Sequence, residues 1–565
     1  MDMDMDMSSQ GTPPNINEPY ARNLITIIAS VVAFLTVRRL FIYIFNKTKT
    51  TFGFRWMHQM SSSYANIENF IVNKCSYTAL YGTCPPLEAL LLLLALISAV
   101  LPLLLLNVDL AVNSNRAGFL CLAMVPFLLS STGKNSAMSL LTGISSVRLN
   151  YLHRILGMAL FISATVHMST MLFSWSKFPT FLKSELQLSK VQYGLAGYGC
   201  LCVVILGSIL PVRILCYEAF IATHVLGIAF IGCIAVHTPY AMRYFFSGLV
   251  CYLLNLLAVW FVKTYVAQAR FEVLPEGCTK VSIRLASPIK THYIGQHINL
   301  CIPSISPFQW HPFTITSVQQ QNAAYQNSIE VCVCSRGNFT RALYKHALPN
   351  QDVRVFVSGP FGSSNIRATR VLDDYSSVVV ACGGSGATFG MRLLRELTDT
   401  LISHDDDNNK NANKSFLLNH YKTKDIYFYW CVRRPLEIEW FREELEQINY
   451  LYDAHEQFPN LHIRFHITTN DTGSTTEQTT VDEEPGIKET VTSSDTSNLY
   501  ETQPDARKDI EVVYGQRLDA QSALEAVEGD VGAFVCGPTS FNAAFKNVVA
   551  LHKSNVYLHC ESFGY

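Results

Sequence analysis

The sequence has no excess of charge of either sign: 43 lysines and arginines stand against 44 aspartates and glutamates, a formal net charge of -1. Without a basic surplus there is no sign of nucleic acid as a partner. No CxxC pair is present either. The 16 cysteines are scattered, several of them inside apolar runs (Cys121, Cys200, Cys202, Cys233, Cys251). That lack of framework spacing argues against a disulfide scaffold and against structural zinc. A cleavable signal peptide is missing as well. The start, MDMDMDMSSQGTPPNINEP, is acidic and polar, whereas a signal needs a basic start and a short apolar core. The first membrane helix is therefore expected to act as the signal and to stay.

What the chain does have is apolar length. Hydrophobic residues make up 49% of its 565 positions and are concentrated before residue 266. The pattern predicts seven crossings, at about 23–45, 87–107, 117–131, 151–173, 197–215, 217–238 and 244–264. Arg38, Arg39, Lys47, Lys49 and Arg55 follow the first crossing; Lys134, Arg148, Arg213, Lys263 and Arg270 border later ones. All of these fall on one side if the amino terminus is outside, which makes the carboxy-terminal half cytosolic. Lys177, Lys183 and Lys190 fall on the opposite side.

Four histidines sit in two of these segments: His153 and His167 in the fourth, His224 and His237 in the sixth. Ionisable groups in hydrocarbon are costly and mark function by default. The first pair is 14 positions apart, about 21 Å of rise and about 40° short of whole turns, so both rings share one face. The second pair is 13 apart. If the two helices run the same way, His153 faces His224 and His167 faces His237, giving two stacked sites. Haem iron suits two imidazole ligands. A difficulty attaches to the second helix, where 13 positions put the rings about 140° apart on an ideal helix. It must be distorted there, or its side chains must compensate. The competing reading makes each histidine a packed residue bonding a neighbouring helix.

From Arg270 onward the pattern changes to short alternating runs, VSIRLA, HINLCIP, IEVCVCS and VRVFVSG, as in a small antiparallel barrel. Between them lies Trp310-His311-Pro312-Phe313-Thr314-Ile315-Thr316-Ser317, where proline fixes the backbone, an aromatic offers a flat face and hydroxyls can donate. Later, SSVVVAC (Ser376–Cys382) reads as a buried parallel strand, followed by Gly383-Gly384-Ser385-Gly386-Ala387-Thr388-Phe389-Gly390 and a helical stretch. Strand, glycine loop and helix together present N–H groups to a pyrophosphate, although the spacing is not GxGxxG and the loop alone is a weak signal.

HPFTITS after GQHINLCIP closely resembles the flavin motif of the ferric reductase and NADPH oxidase superfamily, and GGSGATFG is similar to the NADPH oxidase glycine loop. The resemblance implies that His311, Pro312, Phe313 and Thr314 hold FAD. It implies that Gly337 and Thr340, in RGNFT, meet the FAD pyrophosphate. Gly383, Gly384, Ser385, Gly386 and Thr388 are implied for NADPH. SGPFG (Ser358–Gly362) resembles the turn between the family's two lobes. YFYWCVRR resembles the family's FYW-x-x-R segment, so Arg433 is a candidate for the 2′-phosphate, which a fixed guanidinium can pair bidentately. CGP (Cys536, Gly537, Pro538) looks like the family's turn beside the nicotinamide. ESF near the end implies that Phe563 covers the flavin. The histidine spacings fit the family's two b-type haems.

The expectation is therefore a multi-pass α-helical membrane domain followed by a ferredoxin-reductase-like module, with an antiparallel FAD-binding β-barrel and a Rossmann-like NADP-binding domain. Expected boundaries are a polar amino terminus at 1–22, a first crossing and loop at 23–86, a haem domain at 87–265, the barrel at 266–370 and the nucleotide domain at 371–565. Residues 404–414 and about 470–509 are polar and poor in apolar residues, and are expected as disordered loops. The implied activity is transfer from cytosolic NADPH through FAD and two haems to Fe(III) or Cu(II), a metalloreductase, or else to O2 as an NADPH oxidase. The implied partners are the lipid bilayer and the acceptor. A silent membrane scaffold of the same fold, and a soluble-type diaphorase merely anchored by helices, are the alternatives. Fungal plasma-membrane relatives usually carry a long extracellular leader, and only about 22 residues precede the first crossing here. Plasma membrane and endoplasmic reticulum both stay open.

Overall fold

The structure is a computed structural model. It describes residues 16–52, 67–68, 70–79, 85–134, 136–286, 293–318, 327–347, 351–362, 366–410, 421–469, 510–552 and 556–561. The chain divides into two units: Met1–Glu68 with Pro85–Tyr265 and Val357–Ser363, and Asn69–Cys84 with Val266–Phe356 and Ser364–Tyr565.

The first unit is helical. Its long helices are α1 (Glu18–Phe52), α2 (Leu87–Leu105), α3 (Asn115–Ser130), α4 (Ser146–Ser176), α5 (Ser189–Gly207), α6 (Tyr217–His237) and α7 (Met242–Lys263). Six helices among the described residues are long and apolar enough to cross a membrane; α3, with 16 residues, is shorter. Helices that are apolar all round belong in lipid rather than water. α2 is one: Leu96, Val100 and Leu104 are buried, while Leu91, Leu94, Ile97 and Leu101 stay exposed on another face. Leu120, Met124, Leu156, Leu160 and Phe245 fill the middle of the bundle. Two expected boundaries need correction. The first crossing begins earlier than residue 23, at Glu18. The fifth runs Ser189–Gly207 and not 197–215, because Leu210–Leu215 is a separate short helix opening on Pro211, whose ring cannot continue a preceding helix.

In the second unit the barrel strands are β1 (Thr264–Leu274), β2 (Cys278–Leu285), β3 (His297–Cys301), β4 (His311–Thr314), β5 (Ser328–Cys334) and, after helix α8 (Asn338–His346), β6 (Val353–Phe361). They form one sheet in the order β4-β3-β6-β1-β2-β5. Past β4, Ile315 bridges Val331 of β5, and the Thr316 N–H donates to the Glu330 carbonyl at 2.8 Å, so the two outer strands meet and nearly close the barrel. Pro312 sits in the outer strand β4, where a missing N–H costs no ladder bond.

The nucleotide lobe is a parallel sheet in the order β10-β9-β8-β7-β11-β12. Its strands are β7 (Ser377–Gly383), β8 (Asp425–Val432), β9 (Asn460–Ile467), β10 (Glu511–Tyr514), β11 (Val531–Cys536) and β12 (Val556–Glu561). All seven residues of β7 are buried, as a continuous apolar run in a central parallel strand requires. Helix α9 (Ala387–Lys410) follows the glycine loop. It carries on through 404–410, which corrects the loop expected there: once a helix is nucleated, each polar residue adds a further backbone bond at its end. Residues 411–420 and the 470–509 insert lie outside the described residues.

Candidate functional site

The two histidine helices face each other through their rings. His153 on α4 lies 6.2 Å, centroid to centroid, from His224 on α6, and His167 lies 6.4 Å from His237. The pairs keep the same order along both helices, so α4 and α6 run in the same direction. α6 is an unbroken α-helix from Tyr217 to His237. The mismatch expected from a 13-residue spacing is therefore accommodated without a break in the helix. An iron held between two imidazoles, about 2 Å from each nitrogen, puts the ring centres about 6.3 Å apart. Both observed separations match that value.

Each ring is also turned to offer one particular nitrogen. The Nδ1 atoms of His153, His167 and His237 meet the carbonyls of Leu128, Ser114 and Lys190 at 3.1, 2.9 and 2.7 Å. The Nδ1 of His224 meets the Ser208 hydroxyl at 3.3 Å. A carbonyl accepts only, so Nδ1 of those three rings carries the proton and Nε2 keeps its lone pair toward the partner ring. Around the second pair is an apolar hollow lined by Phe119, Leu160, Met168, Met171, Leu195 and Phe230, with about 1170 Å³ of atom-free space including its open mouth. Gly194 makes room for His237: a Cβ there would come within 2.6 Å of His237 Nδ1. Among the described residues no cluster of three or more His, Cys, Asp or Glu is placed to hold a metal ion. Two axial imidazoles and a flat ligand fit this geometry.

In the second unit, β4 is the HPFT segment, paired with β3 so that Ile298 opposes Phe313 and Leu300 opposes His311. His311 stacks on Phe339 with centroids 4.2 Å apart, and burial lowers its basicity, which keeps the ring neutral. Thr314 is 5% exposed, and its hydroxyl has no hydrogen-bond partner. A buried hydroxyl without a partner is costly, and a ring or ribityl oxygen would satisfy it. Thr340 behaves otherwise. Its Oγ1 accepts from the backbone N–H groups of Arg336 and Gly337 at 2.8 and 2.9 Å, which caps α8 and shapes the turn at Gly337. The hydroxyl expected at the pyrophosphate is thus already engaged by its own turn.

Cys382 at the end of β7 lies beside Cys536 at the end of β11, across a parallel register. This brings the glycine loop against the CGP turn, and a Cβ on Gly386 would fall 2.1 Å from the Cys536 carbonyl. Gly383, Gly384, Gly386, Gly537 and Pro538 therefore share one place, although the two motifs are about 150 positions apart in the chain. Thr388 donates to the Ser385 carbonyl at 3.0 Å, and Trp430 Nε1 donates to the Gly384 carbonyl at 3.0 Å. Burial, with Cys382 and Glu561 close by, pushes the Cys536 thiol well above the usual range, so it is a neutral thiol. Arg336 reaches across from the flavin turn, its Nη2 donating to Ser385 Oγ at 3.3 Å. Arg433 is exposed just past β8, while its neighbour Arg434 pairs with Glu276 at 2.8 Å. Phe563 lies outside the described residues.

Three family models match in the order of the architecture. The ferric reductase like transmembrane component covers residues 117–235, an FAD-binding domain 264–365, and the ferric reductase NAD binding domain 375–550. A probable cell surface ferric reductase of Aspergillus oryzae is 27% identical over 58% of this chain and 44% of its own length. Respiratory burst oxidase homolog protein D of Arabidopsis thaliana is 26% identical over 30% of this chain and 20% of its own. Ferric reduction oxidase 5 of the same plant is 28% identical over 32% and 25%. The chain belongs to the ferric reductase and NADPH oxidase superfamily. It is an integral membrane protein, and it spans less than half the length of these curated relatives.

Within that superfamily frame, the first matched region holds His153, His167 and His224 and stops two residues short of His237. Two residues that sequence reasoning did not single out stand at the site. Arg336 was visible inside RGNFT, but only the fold carries its guanidinium to the glycine loop. Trp430 was visible inside FYW, but its bond to Gly384 depends on β8 lying next to β7.

Proposed function

We propose that this chain moves reducing equivalents from NADPH, on the cytosolic side, across the membrane to Fe(III) or Cu(II) on the far side. The observation that carries this reading is the pair of facing imidazole sites, with three Nδ1 atoms anchored on carbonyls and the fourth on a hydroxyl. When bound, FAD takes a hydride from NADPH and gives up its electrons singly, and b-type haems carry them one at a time.

The chain's own residues position and insulate. His153 and His224 would hold the haem nearer the cytosol, and His167 with His237 the one nearer the far face. Stacked His311 and Phe339 with Thr314 would seat the flavin. Backbone amides of Gly384–Gly386 at the start of α9 would bind the pyrophosphate, with Arg336 adding positive charge. Arg433 would take the 2′-phosphate. Neutral Cys536 would set the depth of the nicotinamide, and Phe563 would cover the flavin. The relatives named as ferric reductase and ferric reduction oxidase favour a metal acceptor, and the respiratory burst homologue keeps O2 as the second reading.

Purified protein with NADPH and a ferric chelate separates the two. Reduction untouched by superoxide dismutase supports direct metal reduction; reduction that the dismutase suppresses supports O2 as the acceptor.

A further inference from the structure

Three thiols that the proposed electron route does not use meet where the flavin barrel touches the nucleotide lobe. β2 opens on Cys278, and β5 ends in Cys332-Val333-Cys334. The register sets Cys278 opposite Cys334, and Lys280 opposite Cys332. The Ser335 N–H donates to the Gly277 carbonyl at 2.7 Å. Gly277 and Ser335 are therefore the hydrogen-bonded pair, and Cys278 with Cys334 is the non-hydrogen-bonded pair next to it. At such a pair the Cα atoms stand about 4.5 Å apart, inside the span of about 4.4–6.8 Å that a disulfide bridges. Cys332 is the diagonal neighbour, at about 7–8 Å, and falls outside that span.

The surroundings divide the labour. Cys334 is half-buried at the edge of the packed cluster, whereas Cys278 is fully buried. Hydrogen bonds with the Cys332 and Cys334 thiols, and then burial, push Cys278 up, which keeps it protonated at rest. The turn before Cys278 is one of the places where the barrel meets the nucleotide lobe. Trp440 Nε1 donates to the Pro275 carbonyl at 2.8 Å, and Arg434 pairs with Glu276 at 2.8 Å. Cys278 and Cys332 share one packed cluster with Trp430, Trp440 and Phe441.

We propose that Cys278 and Cys334 are a reversible disulfide site, closed and opened by exchange with a small disulfide of the glutathione type, that loosens this joint when oxidised. The Cys334 thiolate attacks the small disulfide, breaking its S–S bond and releasing one small thiol. The Cys278 sulfur then attacks Cys334 and releases the second. One S–S bond breaks and one forms in the exchange. The two thiol protons leave on the two small thiols, and two electrons pass from the protein to the small disulfide. Cβ atoms at a non-hydrogen-bonded pair sit about 4.5 Å apart, the near end of the cross-strand range, still wider than the roughly 3.8 Å of a relaxed bridge. Closing the bond therefore draws the strands together, and a strained bond of this kind reopens readily, as a switch needs. Drawing Cys278 toward β5 shifts the Pro275–Gly277 turn, whose Pro275 carbonyl accepts from Trp440 and whose Glu276 pairs with Arg434.

The test treats the purified full chain with oxidised glutathione and maps peptides without reduction, while NADPH-driven reduction of a soluble dye is followed. Expected is a joined peptide pair holding Cys278 and Cys334, loss of both free thiols, and a rate lowered about two-fold or more that dithiothreitol restores. Cys334→Ser should show neither change, and Cys332→Ala should keep the crosslink. A glutathione adduct that stays on Cys334, a Cys278–Cys332 pairing, or a crosslink that leaves the rate unchanged would each overturn the proposal.

Discussion

Replacing Gly194 by alanine tests the histidine sites without touching a histidine. Gly194 lies on α5, and a Cβ there would stand 2.6 Å from His237 Nδ1 and 2.8 Å from its Cε1. Ordinary contact begins at 3.4 Å, so the ring must move by 3.4 − 2.6 = 0.8 Å or α5 must retreat. The Lys190 carbonyl that the same Nδ1 meets at 2.7 Å lies on α5 too, one turn before Gly194, so a ring pushed off the new Cβ also loses that bond. Metal–nitrogen bonds tolerate only about 0.2 Å, several-fold less than the required shift. Gly194→Ala should therefore spoil the His167–His237 site and spare His153 and His224, about 21 Å along the helices. The assay is the reduced-minus-oxidised spectrum of purified protein, with total haem from the pyridine adduct. About half of the low-spin b-type signal should vanish. Gly199→Ala on the same helix is the control, because nothing lies within 4 Å of a Cβ there. A Gly194→Ala spectrum equal to the parent's, or an equal loss in Gly199→Ala, would refute the reasoning.

Thr314→Val removes a hydroxyl with no partner inside the protein, so thermal stability should hold or rise. FAD titration should show affinity about tenfold weaker, the worth of one hydrogen bond. Arg336→Ala should raise the KM for NADPH or weaken FAD retention several-fold while the haem spectrum stays intact, since its guanidinium meets Ser385 Oγ. Because burial holds the Cys536 thiol well above the usual thiol range, its alkylation by iodoacetamide should not accelerate between about pH 7 and about pH 9; faster labelling would show a thiolate. His153→Ala and His237→Ala should keep NADPH-dependent dye reduction and lose metal reduction. Undiminished metal reduction would favour the anchored diaphorase, and an absence of haem absorption in the parent would favour the scaffold.

Much of the architecture was legible because it is written in local pattern. Apart from the shorter α3, the apolar stretches of α1 to α7 announce themselves by length, and SSVVVAC announces a central parallel strand by having no polar face to turn outward. The boundaries that slipped, at α5 and at 404–410, depend on where a proline or a run of polar residues ends a helix, and propensity decides that only weakly. Thr340 was read from its motif as a pyrophosphate contact, and the fold shows it capping α8. The cysteine spacing argued against a disulfide framework. It did not foresee that Cys278 and Cys334, far apart in the chain, share one rung of a sheet.

By itself the sequence determined which residues have the chemistry and in what order they come: four imidazoles in apolar helices, then HPFT, the glycine loop and CGP. Only the tertiary structure decided which of them meet. Strand register placed Cys536 beside Cys382, helix direction set His153 against His224, and backbone carbonyls chose which nitrogen three of the rings offer. Composition and period act over a few residues and survive in any reading of the chain. Pairings across many residues depend on loop closure and on packing between elements, and no local pattern records them.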